Sequence, residues 1–274
     1  DRINALSKQF ISQKNYTSKL EIESINNRIG NLVIEAKEIK ATKDGSKSGE
    51  LIFNGFNYNF RPEDRIGIIG PNGCGKTTLL QIISGKRMPN NGHIRIGETV
   101  QFGYLDQHNV DMIENNSQPR KVITYIEEYA SQVILEKKKI SASQLLERFQ
   151  FPPAQQHSPI TKLSGGEKRR LNLCRILIQS PNVLLLDEPT NDLDIQTLSI
   201  LEDFLEDFKG CIIIISHDRY FLDRTVDRIF NYENGNFKQY EGNYSSFLAK
   251  QIDKEEQMIK SSQSSRKKTN INII

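Results

Sequence analysis

The sequence predicts an α/β domain of parallel strands covered on both sides by helices, and three observations carry that prediction. The runs RIGIIG (65–70), VLLLD (183–187) and CIIIIS (211–216) are short and almost wholly apolar, as strands buried on both faces must be. Segments with helical spacing separate these runs. A glycine-rich stretch follows the first run and an acidic one follows the second, where loops leave strand ends.

The elements follow in chain order. Residues 1–30 are charged and polar with Leu, Ile and Phe at roughly helical intervals, which predicts a helix and a linker into the main domain. From 32 the pattern changes: LVIEAKEIKAT and LIFNGFNYNF alternate as strands do, on either side of the turn-rich KDGSKSGE. TTLLQIISG (77–85) reads as a helix stopped at Gly85. HIRIGE and VQFGYLDQ give two more short strands, and about 109–121 is polar loop. Residues 121–150 carry helical periodicity with many charges, and FPPAQQHSPITK is a proline-marked connection. Helix returns after Gly166, then come strand 183–187, a helix around 197–209, strand 211–216, a helix near 219–225, and strands to about 240. The tail from 250 is polar and Ser-rich, and 262–274 is assigned no fold. The expected division is an N-terminal 1–30 extension, a domain over 31–249 with a helical insertion at about 121–180, and a 250–274 tail.

Composition bounds the function classes. Across 274 residues, 37 Lys and Arg against 34 Asp and Glu leave a net charge of +3, too weak for a protein held to nucleic acid by bulk charge alone. Cys74, Cys174 and Cys211 lie too far apart for a disulfide framework or a spaced metal site, and point to a reducing compartment. No run approaches 18 apolar residues, so no membrane span is expected.

Two motifs carry chemistry. GPNGCGKT (70–77) fits G-x-x-x-x-G-K-[ST] between a buried strand and a helix. Gly70, Pro71, Asn72, Gly73, Cys74 and Gly75 form a loop whose backbone can wrap phosphates, continued by Lys76, Thr77 and Thr78 at the helix N-terminus. Lys76 is expected to reach the β- and γ-phosphates and Thr77 to ligate Mg²⁺. Cys74 is read as a tolerated small residue. In VLLLDEPTNDLD (183–194), Asp187 is the natural Mg²⁺ partner, directly or through a bound water, and Glu188 the candidate to polarise an attacking water; the bland alternative is a solvated strand end.

With LSGGEKRR at 163–170, Gln107 after a strand and His217 in IISHDRYFL, these motifs closely resemble the nucleotide-binding domain of ABC ATPases. The resemblance implies a P-loop parallel-sheet core with an antiparallel β subdomain and a helical signature subdomain. It implies ATP and Mg²⁺ as ligands, and two domains that sandwich the nucleotide. Ser164, Gly165, Gly166 and Glu167 would serve the opposite ATP. Gln107 would contact Mg²⁺ and the water, His217 the γ-phosphate, and Asn191, Asp192 and Asp194 would line the contact between domains. Lys168, Arg169 and Arg170 are read as facing the nucleotide or solvent.

Finer features resemble the ABC-F class, soluble twin-domain ATPases that act on ribosomes: NDLD after DEPT, SHDRYFLDRTVDRI, and YEGNYSSFL at 240–248. PRKVITYIEEY looks most like the bacterial Uup branch, and DRINAL and INNRIGNLVIEA resemble the interdomain linker. The resemblance implies the second half of a doubled cytoplasmic parent, with weak hydrolysis as an isolated half. Its partners would be the first ATP-binding domain or a second copy, and ribosome, rRNA or tRNA, with no membrane. The alternatives are a DNA-associated ATPase of the Uup type or the ATPase subunit of a transporter; GYLDQH and SHDRYFLD argue against the latter. Arg2, Lys8, Lys14 and Lys19 form either an RNA-contacting or a solvated helix face, and Arg266, Lys267 and Lys268 a polyanion contact or a solvated end. Two features depart from the pattern. The position that usually stacks on adenine falls near Ala41 or Thr42, which cannot stack, leaving adenine either loosely held or met by a residue such as Phe53 or Tyr58. The polar tail carries no heptad series of the kind that gives Uup-like proteins a C-terminal coiled coil; either the chain is truncated or its parent never had one.

Overall fold

The computed structural model describes residues 30–257 apart from 31, 44, 47–48, 107–119, 136–137, 192 and 255. The three apolar runs become neighbouring strands: β3 (Arg65–Ile69), β8 (Val183–Asp187) and β9 (Cys211–Ile215). Every residue of β8 and β9 is buried, because side chains alternate between two covered faces. Leu184, Leu186, Ile212 and Ile214 face one core, and Val183, Leu185, Ile213 and Ile215 face the other.

The sheet is completed by β5 (Phe102–Leu105), β10 (Arg228–Glu233) and β11 (Asn236–Glu241), in the order β11-β10-β3-β9-β8-β5. All neighbours pair in parallel except β11, which returns antiparallel on β10. A second sheet of order β2-β1-β4 is antiparallel, from β1 (Ile34–Thr42), β2 (Leu51–Phe60) and β4 (Asn91–Ile96). Ile34, Phe53 and Phe56 of this sheet, with Leu79, Leu80 and Ile82 of α1 (Lys76–Ile83), close one face of the central sheet. The other face is covered by α5 (Gly165–Ile178), α6 (Ile195–Asp207) and α7 (Arg219–Thr225), through Leu171, Leu201 and Phe221. The expected parallel core, antiparallel β subdomain and helical signature subdomain are all present.

The insertion differs from its expected helical run. It opens with α2 (Val122–Glu127) and then forms a hairpin, β6 (Gln132–Leu135) and β7 (Lys138–Ser141), in which Gln132 pairs with Ser141. β-branched residues cluster in this stretch (Val133, Ile134, Ile140), and such residues favour strands; short apolar runs match both periods. Ser141 then caps α3 (Ala142–Arg148) through a reciprocal box with Gln144. The proline-marked connection contains α4 (Pro153–Gln156), with proline at its first position, and a short 3₁₀ turn at Ile160–Lys162. Residues 244–254 are helical. The expected linker helix with Arg2, Lys8, Lys14 and Lys19 lies outside the described residues, as does the tail with Arg266, Lys267 and Lys268. Among the described residues no helix is long and apolar enough to cross a membrane.

Candidate functional site

Strand register brings three loops together. Ile68 of β3 and Asp187 of β8 are both level with Ile215 of β9, so the segments beginning at 70, 188 and 216 leave the sheet side by side. They emerge at the carboxyl ends of parallel strands, where open α/β sheets place ligand sites.

The first loop runs into α1. Its N-cap is Gly75, at φ 100 and ψ 17, with no side-chain cap hydrogen bond. A side chain is excluded there: a Cβ would stand 2.3 Å from Ile52 Cγ2, and the positive φ is strained for any other residue. The first N–H groups of a helix lack intrahelical partners, so an N-terminus without a side-chain cap suits an anion. Lys76 is buried, and its Nζ donates to the carbonyls of Gly70 (2.8 Å) and Pro71 (3.2 Å). The same nitrogen is 3.4 Å from His217 Nε2.

The second loop carries the acids. Asp187 ends β8 and is 1% exposed. Glu188 follows at φ 50, an uncommon left-handed conformation for a residue with a side chain. Its N–H donates to Ile215 O at 2.9 Å, and its carbonyl accepts from Arg169 Nη2 at 2.8 Å and Asn191 N–H at 3.3 Å. Its carboxylate accepts from His217 N–H at 3.3 Å, and His217 Nε2 stands 3.4 Å from Oε1. Burial raises the Glu188 pKa above its ordinary value; His217 and Lys76 oppose that rise and Asp187 adds to it.

These groups line one cavity of about 440 Å³. Lys76, Thr77, Thr78, Asp187, Glu188 and His217 converge on it, with Asn72, Gly73 and Gly75 from the glycine loop. The Thr77 hydroxyl and the Asp187 carboxylate are both oxygen donors, the chemistry Mg²⁺ takes when substrate phosphates supply its other ligands. The residues present therefore fit the ion. Gln107, the remaining expected contact, lies outside the described residues. Gly70 and Pro71 serve through their carbonyls. Cys74 is buried beside Gly70, and burial raises its thiol pKa.

Ile52 and Asn191 also line the cavity, and sequence reasoning missed them as cavity residues. The proposed stacking residues Phe53 and Tyr58 do not line it. Phe53 is fully buried against Phe237, and Tyr58 packs on Phe60 and Phe230 while its hydroxyl donates to Asp64. The strand alternation that exposes Ile52 necessarily buries Phe53.

The glycine-rich signature lies elsewhere. Ser164 and Gly165 are exposed at the N-terminus of α5, and neither they nor Gly166 and Glu167 line the cavity. Ser164 caps the helix: its Oγ accepts from Glu167 N–H at 3.4 Å, and Glu167 Oε2 accepts from Ser164 N–H at 2.8 Å. That backbone hydrogen bond holds the Glu167 carboxyl below its usual range, assisted by Gln155. Of the two arginines that follow, expected to face nucleotide or solvent, Arg169 is withdrawn from solvent and Arg170 is half-buried. Arg169 is buried against the Glu188 carbonyl, and Arg170 turns to Gln150 and Asp194. Arg169 falls on the buried face of α5, and Arg170 lies half-buried beside it. Asp194 caps α6 by accepting from Thr197 N–H at 2.8 Å, and Asp192 lies outside the described residues.

Residues 53–191 match the family model described as ABC transporter. The chain is 48% identical over 250 residues to an uncharacterized ABC transporter ATP-binding protein, YfmR, of Bacillus subtilis, covering 90% of this chain and 38% of that one. It is 35% identical to ATP-binding protein Uup of Haemophilus influenzae, covering 86% and 35%. The energy-dependent translational throttle protein EttA of Mycobacterium tuberculosis is 35% identical, covering 87% and 43%. The chain thus spans well under half the length of these relatives. In fold it is similar to the dimeric ATP-binding cassette MJ0796 bound to ADP and Pi, with a TM-score of 0.58 at 20% identity, covering 76% of this chain and 98% of that one.

Proposed function

The chain belongs to the ABC transporter family of ATP-binding domains, and from that premise we propose that it binds and hydrolyses ATP as one half of a twin-domain ABC-F ATPase working in translation. The observation that carries the proposal is the convergence of Lys76, Thr77, Asp187, Glu188 and His217 on one cavity, at a helix N-terminus without a side-chain cap.

The polyphosphate lies against the N-terminus of α1, with Thr78 beside Thr77 on its first turn. Lys76 exchanges its loop carbonyls for β- and γ-phosphate oxygens. Thr77 and Asp187 would hold Mg²⁺, which would supply neutralisation of phosphate charge; Gln107 is the third contact we assign. Glu188 takes the proton of the attacking water, and its raised pKa brings its basicity nearer the working pH. His217, in reach of both Lys76 and Glu188, orients that water against the γ-phosphate.

Ser164, Gly165, Gly166 and Glu167 complete the nucleotide site of a second domain, which explains an exposed signature outside its own chain's cavity. An isolated half then binds ATP but hydrolyses it weakly. Ile52 offers the base an apolar wall in place of an aromatic ring. The translational role draws on the similarity to EttA, whose name gives its action, and on the ABC-F motifs. The test uses the full-length protein with Glu188→Gln, loaded with ATP and sedimented with ribosomes or with naked DNA. Co-sedimentation with ribosomes is expected; binding to DNA alone would favour the DNA-associated reading.

A further inference from the structure

Arg169 lies on α5, five positions beyond the exposed Ser164, yet it is only 6% exposed. A buried guanidinium is costly unless its donors are used, and its Nη2 donates to the Glu188 carbonyl at 2.8 Å. That carbonyl belongs to a residue held at φ 50, a conformation that persists only where neighbours enforce it. The Ile215 carbonyl accepts the Glu188 N–H from β9, and the Asn191 N–H donates to the same Glu188 carbonyl from the adjoining turn. Arg169 alone among these three reaches Glu188 from a helix. Relaxing Glu188 to negative φ would swing its carbonyl off Arg169 and turn its carboxylate away from His217.

We propose that Arg169 is a positioning residue, fixing the Glu188 peptide so that the carboxylate faces the cavity, and tying that acid to the helix that carries Ser164 and Gly165. The proposal rests on the reading of Glu188 as the acid that activates water. Arg169 lines no part of the cavity and acts only through Glu188. Because α5 presents its N-terminus outward, a second domain's nucleotide that engages Ser164 and Gly165 pulls on the same rigid element. Occupancy of the opposite site is thereby reported to this chain's own acid through one side chain.

The test uses Arg169→Met and Arg169→Lys in the full-length protein, each with and without Glu188→Gln. Arg169→Met is expected to lower kcat roughly 10- to 100-fold, with KM and ATP affinity held within about twofold. Arg169→Lys recovers part of the rate. In the Glu188→Gln background Arg169→Met costs nothing further, since both act through one group. An unchanged kcat overturns the proposal, as does an equal loss in both backgrounds, or a fall in ATP affinity and Tm in step with kcat. Should Arg169→Met fail to fold, Arg169→Lys decides: an intermediate kcat with KM unchanged supports positioning, and wild-type values overturn it. Full hydrolysis by Glu188→Gln removes the underlying reading instead; an inactive Glu188→Gln beside a fully active Arg169→Met defeats positioning alone.

Discussion

The N-termini of α1 and α5 are both glycine-rich, and they are finished in opposite ways. α1 starts inside a cavity, with Gly75 pressed against Ile52, no side-chain cap, and a lysine folded back over its own loop. α5 starts in the open, with Ser164 and Glu167 satisfying each other and free space around Gly165. The first arrangement leaves N–H groups for an anion brought from outside and lets no side chain intrude. The second is complete in itself, and among the described residues nothing stands where a Cβ on Gly165 would reach. Such a glycine suits a close approach from another molecule.

Substitutions break this comparison at graded cost. Lys76→Ala removes the one cavity ammonium on the glycine loop, and should cut ATP hydrolysis by at least about 100-fold while abolishing tight nucleotide binding, read by equilibrium titration. Glu188→Gln should lower hydrolysis by about 100-fold or more with ATP binding kept. The same variant should also gain thermal stability at neutral pH. A carboxyl whose folded pKa is raised takes up its proton more readily when folded, so stability falls as pH climbs from the ordinary carboxylate value through the raised one. Removing the charge removes that penalty; a lower Tm for Glu188→Gln at pH 7 than at pH 4 relative to the parent would contradict the sign.

Gly75→Ala and Gly165→Ala sharpen the contrast directly. The first forces a Cβ to 2.3 Å from Ile52 at φ 100 and should lower Tm clearly. The second meets nothing within 4 Å and should leave stability unchanged or raise it by up to about 1 kcal/mol through helix propensity, yet slow hydrolysis in the full-length protein. Ser164→Ala should cost the fold about 1 kcal/mol through the broken capping box, followed by thermal melting.

Most of the fold and the cavity was legible because both rest on local patterns. Strands buried on two faces need unbroken apolar runs, and VLLLD and CIIIIS supplied them at the positions where the acid and the histidine loops begin. GPNGCGKT announced its own geometry, because Gly75 is demanded by backbone conformation and Lys76 by charge. Less was legible where tertiary packing chose among local options. The hairpin at 132–141 lay hidden in a stretch whose apolar spacing also suits a helix. Ile52 and Phe53 are adjacent, and only the docking of β2 on the central sheet decides which one meets the cavity. Arg169 and Arg170 read as surface charges until the helix was rotated onto Glu188 and Asp194. A buried arginine gives no sign of itself in composition, because its partner is a backbone carbonyl 19 residues away.

The most direct test of the cavity as the site of hydrolysis is a single-turnover measurement with full-length Glu188→Gln, in which bound ATP and released phosphate are followed together. ATP held with phosphate release slowed by about 100-fold is the expected result; ATP held and cleaved at the parent rate would contradict the assignment of Glu188 and, with it, the chemistry of the cavity.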